Sequence, residues 1–64
     1  MEDNKVTFIR VVNGEQVKKV TFNKNNSVEM EVLEQYIFGN TGYNGHVSTH
    51  ITNDTVTQTI RTYN

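Results

Sequence analysis

Residues 46–63 alternate so regularly that one local structure accounts for them, an antiparallel hairpin. From His46 to Thr52, Val47 and Ile51 share one side; from Thr55 to Tyr63, Val56 and Ile60 do the same. Asn53-Asp54 falls between the two runs, and both residue types tolerate the positive φ of a two-residue type I′ turn. That turn sets Ile51 opposite Val56 and Val47 opposite Ile60. The other side collects His46, Ser48, His50, Thr52, Thr55, Thr57, Thr59, Arg61 and Tyr63. Such a ribbon has one face for packing and one for water.

A second hairpin is expected near the start. Lys5 to Val12 is rich in β-branched and aromatic residues, Asn13-Gly14 is a strong turn signal, and Glu15 to Phe22 returns. A strict two-residue turn would pair Val6 with Thr21 and Phe8 with Lys19, scattering apolar side chains over both faces. A loop one residue longer pairs Val6 with Phe22, Phe8 with Val20 and Val12 with Gln16. Because a one-residue slip flips every side chain, packing selects this second register. Ile9, Val11 and Val17 then form an apolar patch on the opposite face, a candidate self-association surface.

Between the hairpins, Ser27 reads as a helix N-cap with Glu29 in the first turn. Val28, Val32, Leu33, Tyr36 and Ile37 recur on one helical face, and Gly39 sits where a glycine would close the helix. A strand is the competing reading, since Val28, Met30 and Val32 alternate with Glu29 and Glu31, but that pattern breaks at Val32-Leu33. Asn40 to Gly45 reads as a loop. The predicted order is β-β-α-β-β, an α+β fold in a single domain over residues 1–64: a four-stranded antiparallel sheet from two hairpins, with one helix on a face.

Sixty-four residues without a cysteine leave little core, and there is neither disulfide nor cysteine-bound metal to supplement it. Self-association is the remaining common device, so a homo-oligomer, a homodimer or a larger ring, is expected. The chain also lacks an apolar run long enough for a signal or membrane segment, and Met1 to Asn4 is polar; a cytoplasmic protein is the expectation, with no membrane partner. Nine Asn and nine Thr, with no Ala or Pro, suit strands and turns and fit an AT-rich bacterial, phage or plasmid genome.

The net charge of −1 makes no overall demand for nucleic acid. Its distribution is uneven, with +2 over residues 1–26 and −3 over residues 27–64. Arg10, Lys18, Lys19 and Lys24 make the first hairpin basic, and nearby aromatics could stack bases. A nucleic-acid-binding regulatory protein, of DNA or RNA, is therefore the second functional reading.

Motifs for chemistry are weak. His46 and His50 share a strand face but stand roughly 13 Å apart, so they cannot chelate one ion within a monomer. Ser48 lies about 7 Å from either histidine, too far for a nucleophile–base hydrogen bond. Gly39-Asn40-Thr41-Gly42 leaves a helix and enters a strand, the reverse of a phosphate-binding loop, and no helix follows as a GxxG nucleic-acid clamp requires. The Thr55, Thr57, Thr59 row is what any wet strand face prefers. No catalytic set, cofactor or metal is expected. The leading reading is a small regulatory or adaptor protein that is not an enzyme and binds another protein through Tyr43, His46, His50, Arg61 and Tyr63.

Overall fold

The computed structural model describes residues 4–39 and 41–63. The elements follow the predicted order: β1 (Lys5–Val12), β2 (Glu15–Asn23), α1 (Ser27–Phe38), β3 (Gly45–Ile51) and β4 (Thr55–Thr62). They form one four-stranded sheet in the order β2-β1-β4-β3 with the helix on one face. The polar lead-in over residues 1–3 and Asn40 of the predicted loop lie outside the described residues.

The sheet is mixed rather than purely antiparallel. Both hairpins are antiparallel, but β1 and β4 meet in the centre as parallel neighbours, from Thr7 beside Thr55 to Val12 beside Ile60. The helix is the reason. It carries the chain back to the end of the sheet where β2 began, so β3 runs in the same direction as β2. Each hairpin then reverses once, which makes β1 and β4 parallel as well. A crossover of this kind needs a dozen residues or more, and the helix with its following loop provides them.

In the first hairpin Val6 faces Phe22 and Phe8 faces Val20, as expected, but the extra residue is not in the turn. Asn13 (φ 52°) and Gly14 (φ 86°) form a two-residue left-handed turn, and Val12 pairs with Glu15 rather than Gln16. The register shifts between Arg10 and Val11, leaving Val17 as the extra residue of a β-bulge. The bulge reconciles a tight Asn-Gly turn with an apolar face on β1 and β2. Asn13 also extends the central ladder: its backbone N–H donates to the Ile60 carbonyl, its Nδ2 donates to Thr62 Oγ1, and its Oδ1 accepts from the Thr62 N–H.

The second hairpin has the predicted register, Ile51 facing Val56 and Val47 facing Ile60. Its turn is not type I′, because neither Asn53 nor Asp54 takes a positive φ. Thr52 and Thr55 close it instead. The Thr52 N–H and hydroxyl donate to the Thr55 carbonyl, the Thr52 hydroxyl accepts from the Thr55 N–H, and Asp54 Oδ1 accepts from the Thr55 hydroxyl. The Thr7 N–H donates to the Asp54 carbonyl, which starts the parallel ladder from this turn.

The helix is capped by Asn26, not Ser27; its side-chain oxygen accepts from the Val28 and Glu29 N–H groups. The inner face is also rotated from expectation. Leu33 is buried, with Met30, Tyr36 and Ile37 packed beside it against Val6, Phe8, Phe22 and Val56, while Val28 is 67% exposed and Val32 lies near the surface. Met30, Leu33 and Ile37 follow the three- and four-residue spacing of a helix face. Glu29 turns back to accept the Asn23 N–H, tying the helix start to the end of β2. Gly39 ends the helix in an extended conformation, with its N–H on the Gln35 carbonyl.

The helix covers the β2-β1 half of the sheet and does not reach β3. Every β3 residue after Gly45 is exposed, and Val47 and Ile51, expected on the packed face, sit on the helix side of an uncovered strand. Gly45 allows the close approach that starts this strand, since a Cβ there would collide with the Arg61 carbonyl oxygen.

Candidate protein-binding face

Alternation along each strand assigns the side chains of the sheet to two faces. Val6, Phe8, Val20, Phe22, Val56 and Leu33 meet between sheet and helix. Two polar residues of that side are packed under the end of the helix. Gln58, between Val56 and Ile60, is fully buried, and Arg10 is its neighbour on β1. Arg10 Nε donates to Gln58 Oε1 at 2.8 Å. The Gln58 amide then reaches the Tyr36 and Ile37 carbonyls, and Arg10 Nη2 reaches Tyr36 as well, each at 3.4 Å. These are carbonyls of the last helical turn, which have no partner within the helix. The guanidinium also lies over the Phe8 and Tyr36 rings, at 5.3 and 6.0 Å from their centroids.

The four basic residues proposed for nucleic acid are thus not gathered on one surface. Arg10 is tucked beneath the helix end. Lys18, paired with it on the same face, holds its ammonium 5.2 Å from the centre of the Tyr36 ring. Lys19 pairs with Ile9 on the opposite face, and Lys24 donates to the Asn53 carbonyl beyond the end of β2.

The opposite face has no element over it among the described residues. Across the four strands its rows read Lys19, Ile9, Thr57, His50, and then Gln16, Val11, Thr59, Ser48. Thr21, Thr7 and Thr55 flank the first row, with Thr7 and Thr21 hydroxyls 3.4 Å apart. Arg61 and His46 flank the second. Of the three residues expected to form a self-association patch, Ile9 and Val11 are half-buried between these polar neighbours, and Val17 is exposed at the bulge.

Of the residues proposed to meet a partner, His46, Arg61 and Tyr63 come together at one end. His46 pairs with Arg61 and its ring meets Tyr63 edge to face, with centroids 5.5 Å apart. His50 stands two rows further, opposite Thr57 and beyond the Ser48–Thr59 pair. Tyr43 is exposed in the loop before β3. No strand position of this face carries a carboxylate among the described residues: Glu15 pairs with Val12 on the helix side, Asp54 is in a turn, and Glu29, Glu31 and Glu34 are on the helix. The helix side therefore combines four glutamates with Arg10 and Lys18, while the opposite face carries Lys19 and Arg61.

Gln58 was legible by parity, since it sits between the core residues Val56 and Ile60 of its own strand. Among the described residues no three His, Asp or Glu side chains cluster to hold a metal, and no helix is long and apolar enough to cross a membrane. The chain matches no family model, no curated protein and no solved structure.

Proposed function

We propose that this is a small non-catalytic binding protein that docks an acidic protein surface onto the sheet face turned away from its helix. The observation that carries this reading is that whole face. Among the described residues it is uncovered and free of strand carboxylates, and it is built from threonine hydroxyls around Ile9 and Val11 with Lys19, Arg61 and two histidines at its borders. An interface of this composition offers apolar contact at its centre and charge at its rim, where charge mainly sets encounter rate and partner choice. A regulatory or adaptor role suits so small a unit, and His46, Arg61 and Tyr63 form its most concentrated contact group.

The nucleic-acid reading has less support, because Arg10 is engaged with Gln58 and the remaining lysines point to different sides. The test is a partner captured from the native host, followed by calorimetry with variants. Lys19→Glu with Arg61→Glu should weaken binding at least tenfold, while Glu31→Lys with Glu34→Lys on the helix should leave it intact. Binding that survives the first pair and disappears with the second would place the partner on the helix instead. Retention of RNA or DNA, lost steeply with salt and abolished by Lys18→Glu with Lys19→Glu, would favour the alternative.

A further inference from the structure

The two open edges of this sheet are unlike. The β2 edge carries Lys18, Lys19 and the Val17 bulge, all devices that discourage a strand from adding there. The β3 edge, Gly-His-Val-Ser-Thr-His-Ile, has no Lys, Arg, Asp, Glu or Pro and no register shift. It is also the strand that the helix leaves bare, with Val47 44% and Ile51 60% exposed. We infer that a second copy of this chain pairs antiparallel with β3, edge to edge, about a two-fold axis at Thr49.

The hydrogen-bond phase of β3 selects that axis. The Thr52 N–H donates to Thr55 and the Tyr63 N–H to Asn44, so the even-numbered residues exchange bonds with β4. Gly45, Val47, Thr49 and Ile51 therefore turn their N–H and C=O groups outward. An antiparallel partner with the same phase must match odd residues with odd. Centring on Ser48 sets Val47 against the second copy's Thr49, and His46 against its His50. Centring on Val47 leaves Ile51 beyond the end of the other strand. Centring on Thr49 sets Val47 against the second copy's Ile51, twice by symmetry, so that both exposed apolar side chains gain an apolar neighbour.

This axis stands perpendicular to the sheet. The product is an eight-stranded sheet with both helices on one side and both threonine-rich faces on the other. The inference is independent of the proposed docking function, since it uses a strand edge and the helix-side residues Val47 and Ile51. The contact is narrow, in the class of weak and transient interfaces, so association is expected only at high protein concentration.

Sedimentation equilibrium from 10 μM to 1 mM should show a monomer–dimer equilibrium for the full chain. Thr49→Pro removes an outward N–H without touching the β3–β4 ladder, so it should abolish the dimer while retaining the native circular dichroism spectrum. A second measurement does not depend on that variant folding. Thr49→Cys introduces a single thiol into a cysteine-free chain, and its copy across the axis should stand about 5.5 Å away between Cα atoms. Mild oxidation should link the Thr49→Cys protein at least tenfold faster than the Lys19→Cys protein. A wild-type monomer at 1 mM, a dimer indifferent to Thr49→Pro, or faster linkage at Lys19→Cys or Val47→Cys would each overturn the inference.

Discussion

Arg10 and Gln58, forty-eight residues apart, join the two central strands by a 2.8 Å bond and together receive the end of the helix. The helix has no basic residue in its last turn. The sheet supplies one instead, and a cation placed near a helix C-terminus opposes its negative pole.

Gln58→Leu keeps the volume but removes the donor to the Tyr36 and Ile37 carbonyls and the acceptor for Arg10. It should lower unfolding free energy by about 1–3 kcal/mol, the penalty for leaving buried polar groups unpaired. Arg10→Met should lower it as well. The double variant should lose less than the sum, with a coupling of at least about 0.5 kcal/mol in a denaturant-melt cycle. Strict additivity would mean that the two side chains act separately.

Leu33→Ala should destabilise by about 2–5 kcal/mol, as deletion of a buried leucine does, whereas Val28→Ala should stay within about 0.5 kcal/mol. Comparable losses at the two positions would contradict the observed rotation of the helix.

The cap gives an equally sharp contrast. Asn26→Ala should cost about 1 kcal/mol by orphaning the Val28 and Glu29 N–H groups, and Ser27→Ala should be nearly neutral. Thermal melts of both variants decide it.

Gly45→Ala drives a Cβ against backbone of Arg61 and Thr62, which cannot give way as a flexible side chain would. A loss of about 1–3 kcal/mol is expected, with amide exchange accelerated first in β3. A fully native exchange pattern would show that the strand start can shift without penalty.

Much of this fold is legible because local rules act on neighbours in sequence. Val47, Ile51, Val56 and Ile60 specify the second hairpin's register by alternation alone, and Asn13-Gly14 marks the first turn. What escapes is set by distant contacts. Nothing in either ribbon says that β1 and β4 run parallel, since that depends on where the helix delivers the chain. Val28 and Val32 satisfy a helical pattern, yet the aromatic residues Phe8, Phe22 and Tyr36 decide which way the helix rolls. Arg10 looks like a free charge until Gln58 is placed beside it. Val47 and Ile51 look like core until the helix proves too far away to cover them. For the candidate face, strand parity places His46, Arg61 and Tyr63 together; the lack of strand carboxylates there among the described residues emerges only when all four strands are laid side by side.

The parallel seam has a consequence for synthesis. Its two members are separated by the whole of β2, α1 and β3, so a nascent chain lacking residues 55–62 holds one hairpin and a helix with no neighbour for β1's inner edge. Contacts so remote in sequence slow folding. The middle of this sheet is therefore expected to close last.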